Sequence, residues 1–313
     1  MILSVSRRTD IPNYYSEWFI NRLREGYLYV RNPMNIHQIS KIALSPQVVD
    51  CIVFWTKNPL PMLDKLEELK AYHYYFQFTL TGYGRDIEPK LPDKRTQMIP
   101  IFRSLSSKTG KERVIWRYDP IFFTHRYTAE YHVRAFREIA EALRGYTDKV
   151  VISFIDMYAK TKKNMKGIPV LDLEESKFFE FVSELSAIAK ENGMKIATCA
   201  EEIDLAFYGI EHNCCIDQEL IEKKTGCKIS AKKDKNQRAE CGCVESIDAG
   251  SYNTCRNACK YCYANESEEK VRLSCQNYDP HSPLLCGVIT QEDKITERKV
   301  KSLREEQISI FDF

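Results

Sequence analysis

The sequence predicts an α/β fold: a partial (βα)6 barrel followed by a cysteine-rich C-terminal extension. Six short apolar runs rich in Val, Ile, Phe and Tyr are typical of buried parallel strands, and segments with helical periodicity separate them. This alternation favours a parallel sheet with helical crossovers, either a partial barrel or a doubly wound sheet. The predicted strands cover residues 2–6, 51–55, 74–80, 113–118, 150–155 and 195–198.

Polar side chains follow the predicted strands, and this favours the barrel over the doubly wound sheet. In a parallel barrel the carboxyl ends of all strands converge on one rim, where ligands bind. One polar strand end is equally typical of an ordinary turn, so the indication comes from the six ends together. The candidate residues are Arg7, Thr56, Lys57, Arg117, Asp119, Asp156 and Glu201. Between the strands, periodicity predicts helices over 18–24, 62–69, 128–143 and 173–189.

The composition predicts a cytoplasmic protein with one barrel-sized domain and an appendage. Of the 313 residues 43% are hydrophobic, and 46 Lys and Arg stand against 44 Asp and Glu, giving a formal net charge of +2. This balance of charge does not imply a polyanionic partner, and it neither implies nor excludes binding to nucleic acid. The chain has no run of 18 apolar residues and no signal-peptide pattern, so we expect no membrane association.

A basic stretch over 223–238 is poor in apolar residues and predicts a solvated loop at a boundary. We predict a barrel over 1–222 and a cysteine-rich, cluster-binding region over 223–313. The C-terminal tail of this second region, which is apolar at 308–311, is expected to pack on the barrel.

The twelve cysteines indicate metal binding. Only Cys51 lies among the first 198 residues, and the other eleven fall between Cys199 and Cys286. A cytoplasmic chain keeps its thiols reduced, so metal ligation explains this concentration better than a disulfide framework does.

The most informative motif is Cys255-x3-Cys259-x2-Cys262. So short a loop can wrap its thiolates around one corner of a [4Fe-4S] cubane, binding three irons and leaving the fourth without a protein ligand. Structural zinc is the alternative, because zinc closes its shell with four ligands that often come as Cys-x2-4-Cys pairs.

The remaining C-terminal cysteines predict a possible second metal site. A second cluster or a zinc ion is expected on Cys199, Cys215, Cys241 and Cys243. The others are interpreted as small buried hydrophobes, and these are Cys214, Cys227, Cys275 and Cys286.

The Tyr-Cys-Tyr ending of the three-cysteine loop resembles the cluster loop of radical S-adenosylmethionine enzymes. In those enzymes the cofactor chelates the open iron, and one-electron transfer cleaves its sulfonium to a 5′-deoxyadenosyl radical. The aromatic residue before the third cysteine typically packs on the adenine. That residue corresponds here to Tyr261.

The whole chain resembles the bacterial family catalogued as domain of unknown function 1848. The resemblance rests on Ser-Val-Ser-Arg-Arg-Thr-Asp-Ile-Pro at 4–12, Phe-Trp-Thr-Lys-Asn-Pro at 54–59, Arg-Tyr-Asp-Pro-Ile at 117–121, and the cysteine motifs at 241–243 and 255–262. That family has a C-terminal cysteine cluster similar to the N-terminal one of radical S-adenosylmethionine enzymes, and its activity is unassigned. A weaker similarity to spore photoproduct lyase covers 255–263 and 117–121. Because the cluster loop there follows the first strand, the resemblance implies a permuted barrel here.

The resemblance implies a radical S-adenosylmethionine enzyme that acts on an unidentified substrate and receives electrons from a donor such as flavodoxin or ferredoxin. Candidates for the cofactor's carboxylate are Arg117, Lys57 and Arg7. Candidates for its ribose or amino group are Asp119, Asp156 and Glu201, with Thr56 as a further contact. Each is equally open to a structural role, such as an ion pair of Arg117 with Asp119.

Two other functions compete with this prediction. A zinc-binding module on a barrel scaffold would contact nucleic acid or another protein through its lysine-rich segment. A zinc hydrolase would need histidines in paired spacing, and the six histidines show none.

Overall fold

The computed structural model describes residues 1–305 as an α/β fold with one large parallel sheet. The expected docking of the apolar tail at 308–311 lies outside the described residues. The strands are β1 (Ile2–Val5), β2 (Tyr27–Asn32), β3 (Asn35–Ala43), β4 (Cys51–Thr56), β5 (Tyr74–Thr79), β6 (Val114–Ile121), β7 (Lys149–Phe154), β8 (Lys195–Cys199), β9 (Glu211–Asn213), β10 (Ile247–Asp248) and β11 (Lys294–Glu297).

Helices occupy most of the connections between the strands of the large sheet. They are α1 (Ile11–Tyr14), α2 (Ser16–Glu25), α3 (Ile99–Thr109), α4 (Ala129–Leu143), α5 (Ala159–Asn164), α6 (Glu175–Glu191), α7 (Gln218–Thr225) and α8 (Glu268–Ser274). Short 3₁₀ turns cover Leu60–Met62, Leu66–Leu69, Lys111–Arg113 and Ala206–Tyr208, and a π-helical turn covers Lys94–Met98.

The large sheet has eight strands in the order β10-β1-β4-β5-β6-β7-β8-β9, and each neighbouring pair is parallel. From β1 to β9 each crossover advances in the same direction. Right-handed crossovers that advance in one direction place their helices on a single face of the sheet. A smaller sheet, β11-β3-β2, lies beside it.

Both faces of the large sheet are buried, because alternate residues of each strand point to opposite sides. In β4, Ile52 and Phe54 belong to the core under the helices. Cys51 and Val53 instead pack in a second core with residues from the cysteine-rich segment, such as Val244. We call this second side the inner face. Residues from Cys215 to Val244 cover this face.

All six predicted strands are present within about two residues of the expected bounds, except that β6 extends to Ile121. The α-helix predicted over 62–69 is wrong, since this segment forms two 3₁₀ turns. An eight-residue helix is unstable by itself, and the turns still bury Met62, Leu66 and Leu69. Within residues 1–305 no helix is both long enough and apolar enough to cross a bilayer.

Candidate metal and cofactor site

The loop that carries Cys255, Cys259 and Cys262 lies at the carboxyl edge of the large sheet. It follows β10, which runs parallel to β1 and therefore ends at the same edge. The carboxylate of Asp248, the last residue of β10, accepts a hydrogen bond of 2.9 Å from the backbone nitrogen of Arg7. A two-residue strand thus places the C-terminal cysteine loop next to the first strand of the chain.

Asp10 holds this loop against the ends of two strands. Its carboxylate accepts hydrogen bonds from Thr56 Oγ1 at 2.7 Å, the backbone nitrogen of Lys57 at 2.8 Å and Asn257 Nδ2 at 3.1 Å. Burial raises the pKa of Asp10, and these hydrogen bonds partly oppose the rise. Thr56, predicted as a cofactor contact, is therefore a donor to Asp10.

A buried charge network centres on Glu88. Lys57 Nζ lies 3.0 Å from Glu88 Oε1 and 2.7 Å from Tyr261 Oη. Lys94 and the Tyr261 hydroxyl also contact this carboxylate, and Thr81 Oγ1 donates to it at 3.0 Å. Burial acts to raise the pKa of Glu88, but the two lysines outweigh it and lower the pKa. Two cations and one anion leave the network a net positive charge.

The Tyr261 ring lies in an aromatic cluster at the same edge. Its centroid is 5.9 Å from that of Tyr83 and 6.2 Å from that of Phe122. The backbone nitrogen of the neighbouring Lys260 donates to the Ile87 carbonyl at 2.9 Å. These contacts hold the segment between the second and third cysteines on the ends of β5 and β6.

The three thiols of the loop are shielded from solvent to different degrees. Cys259 is buried, and Cys255 and Cys262 are half-buried. Burial raises the pKa of each thiol, that of Cys255 to about 12. The chain turns through Ala258, whose φ is 56°, and Asn265 Nδ2 closes the loop on the Cys255 carbonyl at 2.7 Å.

Two predicted basic residues lie against one tryptophan. The guanidinium carbons of Arg7 and Arg117 are 5.4 and 5.2 Å from the Trp55 ring centroid. Arg117 makes a two-point ion pair with Asp119, with an Nε–Oδ1 distance of 3.0 Å. Arg7 lies 3.4 Å from Asp234. The structural ion pair considered for Arg117 and Asp119 is therefore present.

The predicted acids after β7 and β8 also have protein partners. Asp156 is paired with Arg238. Glu201 Oε1 accepts a 2.8 Å hydrogen bond from the backbone nitrogen of Phe154. Burial raises the pKa of Glu201. Both carboxylates thus lie at the carboxyl edge, near the position expected of them.

The structure brings the second set of cysteines together. Cys199 Sγ and Cys215 Sγ are 3.1 Å apart, although 16 residues separate them in the chain. Cys241 and Cys243 pack in the same buried cluster, and Cys243 Sγ accepts a 3.3 Å hydrogen bond from the backbone nitrogen of Ile216, next to Cys215. Within residues 1–305, however, no group of three or more His, Cys, Asp or Glu side chains is arranged, as it stands, to hold a metal ion.

The four cysteines interpreted as buried hydrophobes are each only half-buried, so that interpretation is wrong as regards burial; they are Cys214, Cys227, Cys275 and Cys286. One of them, Cys275, has its sulfur 3.1 Å from the Tyr15 hydroxyl. Cys275 also lines a cleft of about 740 Å³ beside the three-cysteine loop. Cys255 and Cys259 line the same cleft.

Sequence reasoning missed several residues that organise the site. Asp10 had a usable signal, because it follows the first predicted strand. Glu88 and Lys94 had none, since Glu88 lies in an irregular segment and Lys94 begins a short π-helical turn. Asn257 lies inside the three-cysteine motif, but the motif indicates only its cysteines and Tyr261. Their importance comes from partners that are 6 to 247 residues away in the chain.

The chain is related to a family of known sequence pattern. Residues 2–264 match the family model described as Domain of unknown function (DUF1848). The chain belongs to this family. The DUF1848 match covers the sheet and the three-cysteine loop, and it assigns no activity.

No curated protein matches the chain. One solved structure resembles it, titled a "putative alpha-L-fucosidase" from Bacteroides thetaiotaomicron, at 13% sequence identity and a TM-score of 0.26. The alignment covers 56% of this chain and 72% of that one. A similarity this low carries no argument about fold or function.

Proposed function

We propose that this DUF1848 protein is a radical S-adenosylmethionine enzyme that acts on an unidentified substrate. Cys255, Cys259 and Cys262 would hold a [4Fe-4S] cluster. Cluster and cofactor together would supply one-electron cleavage of the sulfonium. The observation that carries the proposal is the position of this loop, at the carboxyl edge of a parallel sheet and above the polar ends of several strands.

The loop fits a cluster with one open iron. Its three thiols come from eight consecutive residues, and Asn265 and Asp10 hold the two ends and the middle of the loop in place. A cluster bound by thiolates is anionic, and the network of Glu88, Lys57 and Lys94 provides a net positive charge beside it. Charge interaction between Lys57 and Cys259 is consistent with this role, because it favours the thiolate form.

The remaining predicted residues suit the cofactor in different degrees. We assign Glu201 to its ribose or amino group, because this acid follows β8 and forms no ion pair within residues 1–305. Asp119, near the end of β6, is less suited because Arg117 is paired with its carboxylate. Lys57 and Arg117 already have anionic partners, and Tyr261 is packed in the aromatic cluster. These three residues would therefore act mainly by shaping the wall of the site, and so would Arg7, whose Nη1 lies 3.4 Å from Asp234.

The fold is proposed to be a permuted partial barrel. The strand order is sequential from β1 to β9, as expected for a barrel and unlike a doubly wound sheet. β10 then returns the chain to the edge beside β1. A C-terminal loop thereby occupies a position next to the first strand, which is where radical S-adenosylmethionine enzymes carry their N-terminal loop.

The test is anaerobic reconstitution with iron and sulfide, followed by dithionite and S-adenosylmethionine. We expect a brown protein that forms 5′-deoxyadenosine. Cys259→Ala should lose both cluster and product, whereas Cys227→Ala, which changes a half-buried cysteine outside the loop, should retain both.

A folded, colourless protein that binds zinc on the three-cysteine loop and forms no 5′-deoxyadenosine would overturn the proposal. It would favour the zinc-binding interaction module instead. Circular dichroism of each variant separates loss of the cluster from loss of the fold.

A further inference from the structure

A second group of sulfurs lies on the inner face of the sheet, apart from the three-cysteine loop. Three separate parts of the chain supply it: the end of β8 with Cys199, the residues after β9 with Cys215, and the turn Cys241-Gly242-Cys243. Cys199 Sγ lies 3.1 Å from Cys215 Sγ, and all four cysteines belong to one buried cluster. We call these four residues the inner thiol group.

The inner thiol group is packed closely at its turn. A β-carbon at Gly242 would lie 2.5 Å from Cys214 Sγ, so a larger residue there would require a shift. Gly242 thus allows the Cys-x-Cys turn to approach the chain segment that carries Cys215. Close approach of two sulfur-bearing segments is what a shared metal ion requires.

The surroundings of the group suit anionic sulfur. Arg117 Nη1 lies 2.8 Å from Cys215 Sγ, and Asn213 Nδ2 lies 3.2 Å from the same sulfur. The backbone nitrogen of Ile216 donates to Cys243 Sγ at 3.3 Å. Donors of this kind orient thiolates that bind metal.

Arg7 provides independent evidence for an anion beside the inner thiol group. Its Nη2 is buried and has no hydrogen-bond partner among the described residues. A buried guanidinium nitrogen without an acceptor is costly, and a neighbouring anion would satisfy it. Cys243 and Cys215 are the cysteines whose charge would act most strongly on this guanidinium.

We propose that the inner thiol group, Cys199, Cys215, Cys241 and Cys243, binds one zinc ion as a structural tetrathiolate site. Zinc would take the place of the thiol protons, which are released on binding. The contact between Cys199 and Cys215 would then open, and the four sulfurs would surround the ion.

The sulfur separation favours a single ion over a cubane. With Zn–S bonds of about 2.3 Å, tetrahedral geometry places the sulfurs about 3.8 Å apart. The Cys199 and Cys215 sulfurs, 3.1 Å apart, are nearer to this separation than to the wider one of cubane ligands. In a cubane each cysteine binds a different iron, so its sulfurs lie farther apart.

The site would attach an irregular segment to the sheet. Residues 226–246 form no helix or strand, yet Ile229, Cys241 and Val244 are buried against the inner face. A segment of this length without regular structure gains few backbone hydrogen bonds, so a metal that joins it to β8 would add much of its order.

The first test measures metal by mass spectrometry in protein whose three-cysteine loop is removed as a ligand, Cys255→Ser with Cys259→Ser and Cys262→Ser. We expect one zinc per chain and no acid-labile sulfide. Adding Cys215→Ser and Cys243→Ser should remove the zinc, whereas adding Cys227→Ser should not. Because the starting protein lacks the proposed cluster ligands, the result is independent of the proposed function.

The second test uses the unaltered protein and so does not depend on the folding of variants. With zinc bound, the four cysteines of the inner thiol group should resist N-ethylmaleimide, and removal of zinc by a chelator should expose them together. Cobalt in place of zinc should give the absorption bands of a tetrahedral thiolate complex. Absence of metal, iron in place of zinc, or a Cys199–Cys215 disulfide in the peptide map would overturn the proposal.

Discussion

Glu88→Gln tests whether the buried charge network stabilises the carboxyl edge of the sheet. The side chain of Glu88 is 1% exposed, and its carboxylate contacts two lysines, a tyrosine and a threonine. Glutamine keeps nearly the same shape but removes the charge. Lys57 and Lys94 would then be two buried cations without an anionic partner.

The expected loss of stability follows from the burial of Glu88 and of its two lysine partners. Breaking a buried ion pair by removing one charge costs about 3–5 kcal/mol, because the remaining charge is left uncompensated. Part of this is recovered here, since Lys57 and Lys94 are 14% and 18% exposed and can move towards water. We therefore expect a loss of about 3 kcal/mol in the free energy of unfolding.

The matched control is Glu68→Gln. Glu68 also accepts two hydrogen bonds from a cation, Arg24, but both side chains of this pair are exposed. Water and salt screen such a pair, so its removal should have a small effect. Urea unfolding followed by circular dichroism, with both variants in the same metal state, measures the difference.

Equal losses for Glu88→Gln and Glu68→Gln would refute the reasoning. So would a large loss for Glu88→Gln that disappears in high salt, since screening acts mainly on exposed pairs. A loss that persists at high salt and is confined to Glu88 would support a buried network.

Three further predictions concern other parts of the molecule. Burial lowers the pKa of His132 to about 4, so on acidification this side chain is protonated in the unfolded chain before it is protonated in the folded one. The free energy of unfolding should therefore fall by about 3 kcal/mol as the pH drops from about 6.5 to 4. Unfolding followed across this range should show that His132→Gln lacks this slope, and an equal slope in both proteins would contradict the assignment. Gly82→Ala places a methyl group 2.7 Å from a β-carbon of α4 and should cost about 1–3 kcal/mol in urea unfolding; an unchanged midpoint would show that α4 moves freely. The pKa of Cys275 is lowered to about 5, chiefly by Cys286 and then by other neighbours, including Arg256. Iodoacetamide should therefore label Cys275 at pH 6, and Arg256→Met should slow the labelling. An unchanged rate would contradict a role for the guanidinium.

The strands were predictable because the signal for each is local. A strand of a parallel sheet covered on both sides is apolar on both faces, so β4 appears as a continuous run from Cys51 to Trp55. Such a run can be recognised without knowing what packs against it. The polar residues that follow each strand were equally visible, although their partners were not.

Two of the strands that were missed, β10 and β11, depend on distant pairing. β10 is two residues long and has no periodicity, and it exists as a strand because Leu3 and Ser4 pair with it. The smaller sheet likewise joins β3 to β11, about 250 residues farther along the chain. Short segments of this kind carry too little local preference to be recognised alone.

The sequence by itself determined the six main strands and the spacing of the three-cysteine loop, because both depend on residues close together in the chain. Only the tertiary structure decided that Asp10 and Glu88 hold this loop, and that Cys199 and Cys215 approach the turn at Cys241. These arrangements arise when the sheet brings distant segments to one edge and one face. Their geometry depends on packing, which no local pattern encodes.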